Sequence, residues 1–370
     1  MLNCFNSVYK GKKVLITGHT GFKGTWLTVF LKQLGAEILG YSVDIPTNPS
    51  LFDIIFLKDK IVHVKGDILD ENRLRTTFQD FQPEFVFHMA AQPLVRLSYS
   101  EPKLTYETNV IGTVNLLEAV RKTKSVRVVI NVTSDKCYEN KEWVHGYREV
   151  DSLGGDDPYS SSKGCAEIIT SAYRSSFFHS DVFDKHIVSL SSVRSGNVIG
   201  GGDWAGDRLI PDCVRAIIEK KDIIVRHPKY VRPWQHVLEP LSGYLCLGSL
   251  MLQDCRKYGC AWNFGPLDSY ALTVEDIVVK VIEDWQYGHY VIDNGKHLHE
   301  SSLLSLDCRK AMAILNWRPV FDVYTAISKT VQWYKEYYSE KNRDMYGLTI
   351  KQIKSYIEEA RKMNILWSLR

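Results

Sequence analysis

Lys13-Val14-Leu15-Ile16-Thr17, followed by Gly18-His19-Thr20-Gly21-Phe22-Lys23-Gly24, is the stretch whose reading decides the fold. Its first five residues are a short apolar run of strand formers. From Thr25 to Leu34 (TWLTVFLKQL) the apolar spacing turns helical, and Gly35 supplies a stop. Ala36 to Val43 returns to strand character, so strand, glycine turn, helix and strand fit within about 30 residues, the size of a βαβ unit. In that setting the three glycines have separate tasks. Gly18 allows the tight turn, Gly21 lets backbone N–H groups approach a pyrophosphate, and Gly24 permits close packing of helix on strand. His19, Thr20, Phe22 and Lys23 fill the same loop and are candidate contacts to a dinucleotide.

The alternation continues outward from this unit. Ile61 to Val64, Phe85 to Met89, Val126 to Val132 and His186 to Val193 read as strands. Asp70 to Phe81, Thr108 to Thr123 and about Ser160 to Phe178 read as helices between them. Strands alternating with helices predict an α/β fold, a Rossmann-type doubly wound parallel sheet. Beyond residue 194 the elements shorten, Leu241 to Leu252 offers one more helix, and Tyr324 to Glu359 is mostly helical. This predicts a dinucleotide-binding domain over 1–194 with about 233–262. A smaller α+β substrate lobe takes about 195–232 with 263–370.

Composition narrows the partners. Lys plus Arg is 46 and Asp plus Glu is 43 in 370 residues, a net +3 that argues against a nucleic-acid or membrane-surface protein. Eight cysteines stand at 4, 137, 165, 213, 246, 255, 260 and 308 without a C-x-x-C pair, which points to reduced thiols. No run approaches the ~18 apolar residues of a membrane span, and the N-terminus lacks the apolar core of a signal peptide. The expectation is a soluble, cytoplasmic protein with a small-molecule ligand.

Asp44 ends the second strand, 20 residues after Gly24, where an acidic side chain would accept a hydrogen bond from a ribose 2′-hydroxyl. No Lys or Arg occurs from Tyr41 to Leu57, so the charge argues for NAD rather than its 2′-phosphorylated form. Asp67 and Ile68 follow the third strand, suited to adenine or, for Asp67, equally to capping the next helix. Ala90, Ala91 and Gln92 follow the fourth strand and let the backbone lie close to a cofactor; Asn109 joins that candidate set.

Tyr159 and Lys163 stand at i and i+4 on one face of a helix starting near Pro158. An ammonium beside a phenol favours tyrosinate, which would bring its pKa of about 10 toward neutrality. Ser134, Asp135 and Lys136 follow the fifth strand, offering a hydroxyl, an acid and a base where such sheets place ligands. Arg194, Asn197, Arg208, Arg226, Arg232 and His236 concentrate cations and polar groups later in the chain; Arg forks suit a diphosphate. His297 and His299 lack a third ligand nearby, so no metal is expected.

Together the loop at 17–24, Asp44, GDI at 66–68, AAQ at 90–92, Tyr159-x-x-x-Lys163 and RSGNVIGGGD at 194–203 resemble the extended short-chain dehydrogenase/reductase family, whose members process nucleotide sugars. TSDKCYEN at 133–140, GDDPYSSSKGCAE at 155–167, NVIGGGDWAGDRLIPD at 197–212 and RPWQHVLEPLSGYL at 232–245 look most like its CDP-glucose 4,6-dehydratase branch. The resemblance implies a lyase acting on CDP-D-glucose with bound NAD, in deoxysugar and O-antigen synthesis, and a homodimer or homotetramer. It implies that Tyr159 with Lys163 takes the C4 hydroxyl proton. One departure stands out: dehydratases acting on dTDP-glucose carry Thr-Asp-Glu where this chain has Ser134-Asp135-Lys136. By position Asp135 keeps the acid role at the C6 hydroxyl, and Lys136 is either the C5 base or an electrostatic stabiliser of the enolate. The alternative function is another nucleotide-sugar dehydratase, or a 4-epimerase, of the same family.

Overall fold

The structure is a computed structural model and describes residues 2–267, 272–295, 303–339 and 343–369. Strand β1 (Lys13–Thr17) runs into the glycine turn and then helix α1 (Phe22–Gln33). Strands β2 (Glu37–Ser42), β3 (Val62–Lys65), β4 (Phe85–His88), β5 (Val128–Val132), β6 (Ser189–Ser195) and β7 (Ala261–Phe264) complete one sheet. Its order is β7-β6-β5-β4-β1-β2-β3, and every neighbouring pair is parallel. The chain builds one way from β1 to β3, then crosses back to β4 and builds the other way. The switch point lies between β1 and β4, where open α/β sheets place ligands at the carboxyl ends of their strands.

Both faces of this sheet are covered, which is why its central strands are apolar almost throughout. Leu15, Leu39, Val86 and Val129 face helices α2 (Glu71–Phe81) and α3 (Gly112–Arg121), packing with Leu74, Phe78, Leu116 and Val120. Their alternates Val14, Ile16, Phe85, Phe87 and Ile130 face the other side, in one core with Trp26, Phe30, Leu241 and Leu245. Those partners come from α1 and from α6 (Leu238–Gln253), and α4 (Pro158–Ser176) and α5 (Leu209–Ile218) lie between α3 and α6 in the chain.

The helix expected over 108–123 starts earlier. Pro102 sits in the first turn of Pro102–Tyr106, and a π-helical turn at Glu107–Ile111 leads into α3. The helical stretch expected over 324–359 is two helices, α8 (Val323–Tyr338) and α9 (Met345–Lys362), and α7 (Val274–Trp285) precedes them. Short strand pairs form the second wall of the cleft: Val198–Ile199 with Gln235–His236, Ile223–Val225 with Tyr290–Ile292, and Val231–Arg232 with Leu272–Thr273. The chain's end returns to its beginning. Arg361 donates to the main-chain oxygen of Asn3 at 2.9 Å, and Trp367 stacks on Phe5 with ring centroids 4.9 Å apart. Among the described residues, no helix is long and apolar enough to cross a membrane.

Candidate active site

A cleft of about 680 Å³ opens at the carboxyl ends of β1, β4 and β5. Its floor is the glycine turn. Gly18 has φ +73°, and a Cβ there would lie 2.7 Å from the Ala90 nitrogen, so the loops after β1 and β4 touch. A Cβ on Gly24 would lie 2.2 Å from the Gly18 oxygen, which fixes helix against strand. Gly21 is different: a Cβ there meets nothing nearer than 3.5 Å, and as N-cap of α1 it brings no side chain to the first turn. A backbone cradle at a helix N-terminus with no side chain over it fits an anion such as a dinucleotide pyrophosphate.

Around the cradle, Thr20, Phe22, Lys23, Asp44, Asp67, Ile68, Ala90 and Ala91 all line the cleft. Asp67 accepts from the Leu69 nitrogen at 2.9 Å, while Asp70, not Asp67, caps α2 through the Arg73 nitrogen at 3.0 Å. Asp44 is exposed, and Lys65 from the end of β3 approaches it to 3.8 Å, a cation that the Tyr41-to-Leu57 window did not reach.

Three of the expected cofactor residues are placed otherwise. The His19 side chain is buried away from the cleft, between Ser42 Oγ (2.9 Å) and His63 Nδ1 (2.8 Å). Burial holds its imidazole down to about 3, so it is a neutral packing group. Gln92 and Asn109 stand behind the lining. Asn109 Oδ1 accepts from the Gln92 nitrogen (2.8 Å), and its Nδ2 donates to the Gln92 oxygen (3.1 Å) and to Ser162 Oγ (2.8 Å). They tie the loop after β4 to α4, and the π turn carrying Asn109 re-aims it to do so.

The catalytic candidates come together. Ser134 Oγ donates to Asp135 Oδ1 at 2.9 Å and accepts from the Lys136 nitrogen at 3.2 Å. Asp135 is buried with Oδ2 lacking any hydrogen-bond partner, and burial holds its pKa above the usual carboxylate range. Pro158 opens α4 and Asp157 caps it, which sets Tyr159 in the first turn and Lys163 one turn on. Lys163 Nζ points toward the Val132 main-chain oxygen at 3.4 Å, and burial lowers its amine to about 8. Burial pushes the Tyr159 phenol up to about 12, against the hydrogen bond from Ser134 that lowers it. In the protein by itself, desolvation outweighs the Ser134 hydrogen bond and the charge of Arg208, which both favour tyrosinate.

Lys23, a candidate dinucleotide contact by sequence, lines the cleft and also reaches into the same cluster. Its Nζ donates to Ser195 Oγ at 3.0 Å, which shares a hydrogen bond with Tyr244 OH at 3.0 Å. Burial lowers the amine to about 7, helped by the charges of Arg208 and Lys163.

Of the later cations and polar groups, Asn197, Arg208, Arg226 and Arg232 line the cleft. Arg208 pairs with Asp203 at 2.7 Å, and the Arg232 guanidinium lies over Tyr230, 5.3 Å from the ring centre. Arg194 and His236 do not line it. Arg194 lies in the fully buried strand β6, where its guanidinium meets Glu167 (2.8 Å) and Tyr138 OH (2.6 Å) beneath the site. His236 is buried against the edges of Trp26 and Phe321, with burial holding its imidazole down to about 3. Both are corrections: sequence shows a charge but not which way a buried strand points it. Arg96, a lone Arg four residues after Gln92 in the sequence, meets the cleft-lining Asp207 at 3.0 Å. His297 and His299 lie outside the described residues, and among those described no group of His, Cys, Asp and Glu could hold a metal.

Comparison with known proteins agrees with this geometry. The chain is 49% identical to the CDP-glucose 4,6-dehydratase of Salmonella typhimurium, over 94% of this chain and 97% of that protein. Among solved structures, UDP-glucose 4-epimerase of Thermotoga maritima superposes with a TM-score of 0.76 at 21% identity, covering 88% of this chain and all of that one. The dTDP-glucose 4,6-dehydratase of Bacillus anthracis, solved in complex with NAD, gives 0.72 at 24%, covering 88% and 97%. These two likenesses show the fold, a parallel Rossmann-type sheet with flanking helices. The sequence model of GDP-mannose 4,6 dehydratase matches residues 15–330, and with it the chain belongs to that dehydratase family.

Proposed function

We propose that this chain removes water from CDP-D-glucose, giving CDP-4-dehydro-6-deoxy-D-glucose, with NAD held in the cleft and no net redox change. The observation that carries the reading is the Ser134-Asp135-Lys136 turn facing Tyr159, because an epimerase needs no acid and base for dehydration. The extent of likeness to the Salmonella dehydratase supports the nucleotide class.

Gly18, Thr20, Gly21 and Phe22 would hold the NAD pyrophosphate, Asp44 a ribose, and Asp67 with Ile68 the adenine end. NAD bound there would supply an acceptor for the C4 hydride and a donor of hydride to C6. Tyr159, with Lys163 one turn away, takes the C4 hydroxyl proton as tyrosinate; its own phenol proton leaves first, a loss that the positive charge of NAD bound in the cleft would favour. The resulting ketone acidifies the C5 proton, which Lys136 removes as its free amine and gives back to C5 when hydride reaches C6. Asp135, whose pKa burial raises above the usual carboxylate range, is the acid that gives its proton to the departing C6 hydroxyl, so water leaves. Asn197, Arg208, Arg226 and Arg232, which line the cleft, would take the diphosphate and sugar.

The same reading assigns 1–194 with about 233–262 to cofactor binding and about 195–232 with 263–370 to the substrate lobe, whose last helix reaches back to the first residues. It also implies a cytoplasmic homodimer or homotetramer serving deoxysugar and O-antigen synthesis. The deciding experiment is the product mass after separate incubations with CDP-, UDP-, dTDP- and GDP-glucose and trace NAD. Loss of one water from CDP-glucose is expected. Loss from another nucleotide sugar alone would overturn the nucleotide class, and an unchanged mass in all four would overturn dehydration.

A further inference from the structure

Three charged side chains from three separate segments meet at the mouth of the cleft. Arg96 Nη1 lies 3.0 Å from Asp207 Oδ1, and Arg226 Nη2 lies 3.2 Å from that same oxygen. Arg96 comes from the segment after β4, on the main-sheet side. Arg226 ends the short strand Ile223–Val225 in the second wall, and Asp207 stands just before α5. Asp207 and Arg226 line the cleft, and Arg96 reaches over its rim to them.

We propose that Arg96, Asp207 and Arg226 form an exchangeable clamp for the diphosphate of a nucleotide sugar, with Asp207 holding both guanidiniums until the diphosphate displaces it. The clamp rests on the nucleotide-sugar reading above and adds Arg96 and Asp207 to it. Two cations share a single carboxylate oxygen, so Asp207 cannot pair fully with both. Arg208 differs: Asp203 matches it one to one, and that carboxylate is buried. The Asp207 side chain is 44% exposed, and Arg96 and Arg226 are 38% and 33% exposed. Ion pairs as open as these are weak and separable, whereas a guanidinium on a phosphate gains paired, charge-assisted hydrogen bonds. The exchange therefore runs toward the diphosphate. Because the two arginines belong to opposite walls, a diphosphate taken by both draws the walls together.

The two kinds of group predict opposite effects, which a merely structural salt bridge would not give. Binding of CDP and of cytidine to the NAD-saturated protein is measured by calorimetry for wild type, Arg96→Gln, Arg96→Lys and Asp207→Asn. Arg96→Gln is expected to weaken CDP binding about tenfold, the size of one lost charged hydrogen bond. Arg96→Lys recovers part of that loss. Asp207→Asn, which removes the competing carboxylate but suits the left-handed backbone at φ +57°, is expected to tighten CDP binding. Cytidine, which has no phosphate, should be indifferent to all three. Unchanged CDP binding in Arg96→Gln, or a loss in Asp207→Asn as large as in Arg96→Gln, overturns the clamp alone. Failure of the wild-type protein to bind CDP at all overturns the clamp together with the nucleotide-sugar reading.

Discussion

Asp135 and Lys136 are neighbours in the chain and line the same cleft, Asp135 buried and Lys136 half-buried. Asp135 is buried, with one carboxyl oxygen lacking a partner, and burial favours its protonated form. A carboxyl shifted in that direction is better suited to give a proton than to remove one. In the proposed mechanism the C5 base is Lys136, which lines the same cleft. Lys136→Ala should leave C4 oxidation running, so that reduced nicotinamide accumulates on addition of CDP-glucose. Water loss should fall by roughly 100-fold or more, the usual worth of a general base. Mass spectrometry for water loss and nicotinamide absorbance separate the two steps. Dehydration at the wild-type rate in this variant would remove Lys136 from the mechanism.

Helix α4 carries Tyr159 and Lys163, and one further turn along it Glu167 fixes its position. Glu167 accepts from Arg194 at 2.8 Å and Ser192 Oγ at 2.6 Å on β6, and from Thr133 Oγ1 just beyond β5. Both charges of the Glu167–Arg194 pair are almost wholly buried, and the arginine holds the Glu167 carboxyl below its ordinary range. Removing one partner of such a pair leaves the other charged and alone in the core. Glu167→Gln is therefore expected to destabilise the fold by about 3–5 kcal/mol, read from urea unfolding at neutral pH. A loss under about 1 kcal/mol would place the pair with weak surface bridges instead.

This element also shows what sequence could and could not reveal. Pro158 at the helix start and the i,i+4 spacing of Tyr159 and Lys163 are local signals, and so is the strand–glycine–helix run at 13–34. Each needs only neighbouring residues and the 3.6-residue period. The direction of Arg194 depends on Glu167, which packs beside it only after β6 has docked. The same holds for His19, which meets His63 across β2, and for Arg96, whose partner Asp207 is brought to it by the second wall. Periodicity locates elements; it does not identify long-range polar partners.

At the scale of the molecule, one buried carboxylate joins the last third of the chain to the main sheet. Glu239, on α6, accepts from the Val320 nitrogen at 3.0 Å, the Phe321 nitrogen at 2.7 Å and Tyr356 OH at 2.7 Å. It thereby holds the segment before α8, and α9, against a helix that packs on the sheet. Burial raises its pKa from the ordinary 4.5 to about 7 despite those three donors. Tyr356 is the one titratable group bonded to it, and burial holds that phenol well above its ordinary range, so it stays neutral throughout. Below about pH 4.5 Glu239 is protonated in both folded and unfolded chains. As pH rises from there to about 7 the unfolded chain releases the proton while the folded one keeps it, so the unfolded state binds fewer protons and stability falls. The loss from this group is at most about 3 kcal/mol, given 1.36 kcal/mol for each pKa unit. It is complete above about pH 7, where both states are ionised. Glu239→Gln has no proton to release, so urea unfolding of both proteins at pH 5 and at pH 7.5 isolates the effect from every other titrating group. The wild type should lose stability relative to Glu239→Gln between those two values. A difference that stays constant with pH would mean that the carboxylate is as well solvated by its three donors as by water, and that the junction is held by apolar packing alone.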